Sequence, residues 1–177
     1  MTTPIQVAPV RLLVACLFAP GAPLDEARAA LQAAYGEVEE ESRDWAFDVT
    51  DYYRAEMGPG LSRRFWSFET LVQPESIVHV KHYAATVEDR LRAGGHRRVN
   101  LDPLYLDHHK IVLASFKEAG HKIHLGLGVW ADPTMRFHKA RWQPFEWTFP
   151  DFRDGRYDAF LSGVRRRYLR CRRASSA

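Results

Sequence analysis

The run LLVACLFA, residues 12–19, constrains the fold more than any other stretch of the chain. It is too short for a membrane helix, which needs about 20 apolar residues, and too apolar for a surface. Arg11 precedes it, and Pro20, Gly21 and Pro23 break it off. A secretory signal would need a basic start and a small-residue cleavage site, and neither is evident. Residues 11–18 therefore read as a buried strand, residues 1–9 as a flexible leader, and the chain as cytoplasmic.

A core must form around that strand. A chain of 177 residues with 46% hydrophobic and 12% aromatic content suffices for one domain. LDEARAALQAAYG (24–36) has helical apolar spacing and a glycine stop. Residues 37–47 read as a second strand, acidic on its exposed side. A loop with a helical turn follows at 48–60, ended by Gly58-Pro59-Gly60. The aromatic content of 61–72 indicates a strand. Residues 74–94 form the clearest helix, opened by Pro74 and closed by Gly94-Gly95. RRVNLDP (97–103) reads as a short strand that Pro103 stops, and 104–120 as a helix closed by Gly120. Residues 121–130 read as a strand, Asp132-Pro133 as a turn, and 135–147 as a hairpin partner. The last helix spans 156–173, and 171–177 is set down as a frayed tail. This order predicts a single α+β domain over 10–170, with a mixed, mostly antiparallel sheet and helices packed mainly on one face.

Several chemistries are excluded. Cys16 and Cys171 form no Cys-x-x-Cys pair, so neither a cysteine zinc site nor a disulfide framework is encoded. No G-x-x-x-x-G-K-[ST] occurs, so there is no P-loop. GLGVWA (126–131) matches G-x-G-x-x-A, but its context is strand and turn. Gly126 and Gly128 are expected instead to leave a bare patch on a strand face. The eight histidines include no H-E-x-x-H.

The remaining candidates lie in two segments. On a strand, Arg98, Asn100 and Asp102 share one face, while Val99 and Leu101 turn to the core. An arginine, an amide and a carboxylate in a row can grip a polar ligand. Asp48 and Asp51 are neighbours in a helical turn. Two close carboxylates can hold Mg²⁺ or share a proton. Arg64 lies on a face with Trp66 and Phe68, and Glu69 on a face with Phe65, so each needs a partner or a cleft. Lys110 and Lys117 are seven apart, hence on one side of the expected helix. His121 follows that helix as a candidate acid or base. The expected site is a polar cleft built from 48–69 and 98–117 for a small anionic or nucleotide-like ligand. Arg64, Arg98 and Lys110 would bind the anion, with Lys117 adding positive charge and Glu69 facing the cleft. Tyr52 and Asn100 would orient the ligand. Asp48, Asp51 or Asp102 would do acid/base work or hold a cation, and His121 would be a further acid or base. Its enzymatic form would be a metal-assisted hydrolase or transferase.

The net charge of +3 is uneven. Arg165, Arg166, Arg167, Arg170, Arg172 and Arg173 supply it near the end, and the rest of the chain is acidic. The alternative reading is an interaction module that holds RNA or a protein partner through Arg165, Arg166, Arg167 and Arg170.

Several blocks also resemble a family. LFAP, FDVTDYYRAEMG, LSRRFWSFE, RRVNLDPLYL, KIVLASFK and WTFPDF are similar to those of the bacterial and archaeal family catalogued as domain of unknown function 4416. Its blocks look like F-D-x-T-D-Y-Y-x-x-E-M-G, R-x-x-N-[LI]-D-P-G-Y-L and W-T-[YF]-P-D-[YF]. The likeness runs from about residue 11 to 170 and supplies a family name without an activity. Leu104 stands where the family pattern has glycine. If that glycine lets a ligand approach the backbone, the pocket here is altered.

Overall fold

The computed structural model describes residues 7–174. Among them the elements follow in the order β1 (Val10–Phe18), α1 (Leu24–Tyr35), β2 (Val38–Glu41), β3 (Trp45–Ala46), α2 (Arg54–Met57), β4 (Ser62–Val72), α3 (Ile77–Arg90), β5 (Val99–Leu106), β6 (Lys110–Ser115), β7 (Ile123–Gly126), β8 (Val129–His138), β9 (Arg141–Pro144), α4 (Pro150–Arg153) and α5 (Asp158–Ala174). The strands make one nine-stranded sheet with the order β2-β4-β1-β5-β6-β8-β7, β3 adding to β4 and β9 to β8. The pairings are antiparallel. This is the single α+β domain with a mostly antiparallel sheet that the sequence predicts.

All nine residues of β1 are buried. Alternation sends Leu12, Val14, Cys16 and Phe18 to one face and Leu13 and Ala15 to the other. A strand that is apolar on both sides needs a layer on both sides. On the first face, α1 supplies Ala27 and Leu31, and α3 supplies Ile77, Val80, Ala84 and Val87 at helical spacing. On the second face, α4 and α5 supply Phe152, Leu161, Val164 and Tyr168. The expectation placed helices mainly on one face. The fold adds this second helical layer, which the apolar stripe of α5 builds.

The largest departure lies at 104–120, where a helix was expected. The chain forms an antiparallel hairpin instead, β5 and β6 joined by a turn at Asp107–His109. The Asp107 carboxylate makes that turn by accepting from the His109 and Lys110 backbone N–H groups at 2.7 and 2.8 Å. Pro133 sits inside β8, not in a turn. The 37–47 strand is broken into β2 and β3. Gly126, Leu127 and Gly128 all have positive φ and make the β7–β8 turn. The glycines therefore serve a turn and not the strand face expected of them, and no protein group lies within 4 Å of where a Cβ on either would stand. Residues 171–174 continue α5 where a frayed tail was expected, while 175–177 and leader residues 1–6 lie outside the described residues. No described helix is long and apolar enough to cross a membrane.

Pro103 shapes the region that matters most. β6 pairs with β5 only from Leu104 to Leu106. Towards the start of β5 the two strands part. Residues two apart in a strand point their N–H groups the same way, so Pro103 offers no donor on the side where Leu101 offers one. At Leu101, α3 replaces the missing strand. Its Glu88 Oε1 accepts the Leu101 N–H at 2.5 Å, and its Lys81 Nζ donates to the Leu101 carbonyl at 3.3 Å. Lys81 and Glu88 are seven residues apart, two helical turns, and so reach the same strand. The sheet therefore carries a fork, with charged side chains in its crotch.

Candidate functional site

The fork opens into a recess of about 160 Å³ lined by Tyr53, Lys81, Arg97, Asn100, Asp102, Leu113, Ser115, Phe116, Lys117, Lys122 and Phe149. Its floor is a continuous polar chain. Lys81 Nζ donates to Asp102 Oδ1 at 3.1 Å, and Asn100 Nδ2 to Asp102 Oδ2 at 2.6 Å. Asn100 Oδ1 accepts from Arg97 Nη1 at 2.7 Å. Arg97 also pairs with Glu56 at 2.7 Å and Glu88 at 3.2 Å. On the opposite wall Lys122 donates to Ser115 Oγ at 3.1 Å and pairs with Asp132 at 3.1 Å. Lys117 differs. Its Nζ donates to Tyr52 Oη at 2.7 Å and sits 4.3 Å from the Tyr52 ring centre, with no carboxylate paired to it among the described residues.

This setting moves the titrations. Burial pushes the Asp102 carboxyl up, but the Lys81 ammonium and the Arg63 guanidinium outweigh it and hold the group below its ordinary range. Burial dominates at Glu88 and raises it despite the attraction of Lys81. Burial, and then the negative charge of Asp102, push Tyr53 up to about 12, so its hydroxyl keeps its proton.

The sequence-derived candidates scatter, and only some meet at the fork. Asn100, Asp102 and Lys117 line the recess, and Tyr52 touches Lys117 at its mouth. His121 stands one residue behind it: Nε2 lies 3.4 Å from Asp132, whose other oxygen holds Lys122, and the ring stacks on Trp147. The others lie elsewhere. Arg98 precedes β5, so strand alternation does not govern it, and it donates to the Gly21 carbonyl at 2.5 Å. Arg64 is taken by Asp44 at 2.6 and 2.9 Å and Glu41 at 3.2 Å. Glu69 is exposed on β4 outside the recess. Lys110 pairs with Asp107 at the far end of β6, three residues and so about 10 Å along the strand from Leu113 of the recess. Lys110 and Lys117 therefore share no helix side. Asp48 pairs with Arg156 at 3.1 Å and Asp51 with Arg54 at 3.6 Å, so the two aspartates do not act together. Among the described residues no three His, Cys, Asp or Glu side chains gather as metal ligands. Leu104 is buried in the core opposite Leu113 and does not line the recess.

Lys81, Glu88, Arg97, Glu56 and Lys122 were missed. Lys81 and Glu88 carried a signal, two charges seven apart on the otherwise apolar side of a helix. The blocks FDVTDYYRAEMG, RRVNLDPLYL, KIVLASFK and WTFPDF all supply residues to this recess. The sequence model of the family described as Domain of unknown function (DUF4416) matches residues 8–168. The chain belongs to that family. No curated protein and no solved structure matches this DUF4416 chain significantly.

The basic end of the DUF4416 chain divides. Arg165 donates to the His108 carbonyl at 3.0 Å and lies 3.6 Å from the Phe137 ring centre, and Arg167 pairs with Glu40 at 3.1 Å. Arg166, Arg170 and Arg173 are exposed and fall on one side of α5 at spacings of four and three.

Proposed function

We infer that the DUF4416 chain binds a small anionic or nucleotide-like ligand in the recess at the β5–β6 fork. One observation carries this reading: four cationic side chains from three separate segments line a single small recess, and among the described residues Asp102 is the one carboxylate that lines it with them. Lys81, Arg97 and Lys122 hold their places through Asp102, Glu56, Glu88 and Asp132. Lys117 is left to meet an anion. Asn100 and the protonated Tyr53 orient polar groups of the ligand. Asp102, kept ionised, holds Lys81 and Asn100 in place.

A thermal-shift screen with phosphorylated metabolites, nucleotides and carboxylic acids tests this. A ligand that binds only the folded chain at about 100 times its Kd adds about 2.7 kcal/mol of stability. Lys117→Gln should cut the shift by about half or more and Lys110→Gln should leave it. A shift indifferent to Lys117→Gln, or none with any ligand class, refutes the reading. The second reading is polyanion binding along Arg166, Arg170 and Arg173, favoured by their exposure as one stripe. Its mark is affinity for RNA that falls steeply with salt and falls further in the triple glutamine variant.

A further inference from the structure

A second hollow adjoins the recess. Val49, Tyr52, Tyr53, Lys117, Phe149 and Pro150 help to line it, and it holds about 430 Å³ against about 160 Å³ for the inner one. Tyr53, Lys117 and Phe149 line both, so the two are compartments of one cavity. Their joint size falls within the roughly 300–1,000 Å³ of small-molecule sites. Their chemistry differs. The inner compartment presents four cations, an amide and a carboxylate beside the rings of Tyr53, Phe116 and Phe149, whereas the outer one presents three aromatic rings, a proline and a valine, with Lys117 and Thr50 as its polar members. Tyr52 is 65% exposed and Phe149 44%, which leaves two large rings uncovered beside an ionic recess. Tyr53 packs edge-on against Tyr52, with ring centres 4.9 Å apart at 85°, and fixes Tyr52 as a wall.

Lys117 marks the boundary between the compartments. An anionic group drawn to it has the inner recess behind it, and the rest of a larger ligand extends outward, where it meets aromatic faces.

We propose that the ligand is a planar aromatic or heteroaromatic ring bearing an anionic group, with the anion at Lys117 and the ring against Tyr52, Tyr53 and Phe149. This rests on the anion-site reading above and adds the ring. The anion can be a carboxylate or a phosphate, so the test uses both. Calorimetric titration of the full chain compares phenyl phosphate with glycerol phosphate, and benzoate with acetate. In whichever pair binds, the aromatic member should bind at least about ten-fold tighter, equal to about 1.4 kcal/mol. Phe149→Ala should bring that ratio towards one and leave the non-aromatic member unchanged, and Tyr52→Ala, which also frees Lys117 from its hydrogen bond, should lower the ratio as well. Equal affinity within a pair, lost on Lys117→Gln, overturns the ring and keeps the anion site. No binding by any of the four overturns both. A ring preference that survives both alanine variants lies elsewhere and overturns the proposal as well.

Discussion

Asp151 and Asp102 are held by the same device and differ in what lies beside them. Asp151 pairs with Arg63 at 2.9 Å and accepts from the Tyr157 hydroxyl at 2.8 Å. Asp102 pairs with Lys81 at 3.1 Å and accepts from Asn100 at 2.6 Å. Around the first, the side chains are 5% and 0% exposed, and the rings of Phe47 and Phe152 lie 4.8 and 5.6 Å from the Arg63 guanidinium. Around the second, the exposures are 9% and 19%, and the pair lines a recess. A sealed ion pair adds little net stability, because desolvation offsets attraction, yet losing one partner is costly. It fixes where α4 docks on β4. An open pair does the same for α3 on β5 and leaves one side of its charges for a visitor.

The sharpest break of that comparison is Arg63→Met against Lys81→Met. Arg63→Met strands Asp151 without water and should cost about 3–5 kcal/mol in urea unfolding. Lys81→Met leaves Asp102 part-solvated and hydrogen-bonded to Asn100, and should cost about 1–3 kcal/mol. Equal losses would mean that the two pairs are both purely architectural.

Acid titration sharpens the comparison with smaller effects. Asp102 is held below its unfolded value of about 3.9. Its stabilisation is therefore present above that pH and is lost as pH falls further, through the folded value. Glu88 is held above its unfolded value of about 4.3. Its contribution has the opposite sign: stability is present below the unfolded value and is lost as pH rises through the folded one. Measured by urea unfolding from pH 7 downward, the wild type should gain on Glu88→Gln until about pH 4.3 and lose ground to Asp102→Asn below about pH 3.9. Parallel slopes for the two variants would contradict the assignment of burial to one group and charge pairing to the other.

How much of this was legible follows from which signals are local. The helices α1, α3 and α5 carry their own 3.6-residue stripes and were readable from spacing alone. The uninterrupted run in β1 announced a buried strand. Its logical partner, a helical layer on each face, was open to inference from the same run. The β5–β6 hairpin was misread because Leu104, Ile111 and Lys110–Lys117 fall at helix-compatible intervals. Its true signal was two apolar stretches split by Asp107-His108-His109, with no glycine to mark the turn. Pro103 was read as a stop because proline lacks a donor. That is also why it sits where β6 has already left. The candidate recess was half legible: Asn100, Asp102 and Lys117, which line it, are residues whose types suggested binding. Arg97 replaced Arg98 because strand alternation starts only at Val99. Lys81 and Glu88 reach the fork from α3 across a gap in the sheet, and that juxtaposition is tertiary.

Lys117→Gln is the variant with the smallest expected effect on folding and the most to say about the open pair. Lys117 is exposed, and its contacts are with the exposed Tyr52. Surface substitutions of this kind move stability by no more than about 0.5 kcal/mol, so the urea midpoint should stay in place. Ligand affinity should fall at least about ten-fold, since a charge-assisted hydrogen bond contributes about 1.5–3 kcal/mol and 1.4 kcal/mol is one decade. Such a split, with folding intact and binding lost, cannot come from a residue whose work is structural. Loss of both together would place Lys117 with Arg63, as a brace, and would leave the open recess without the cation that distinguishes it from the sealed one.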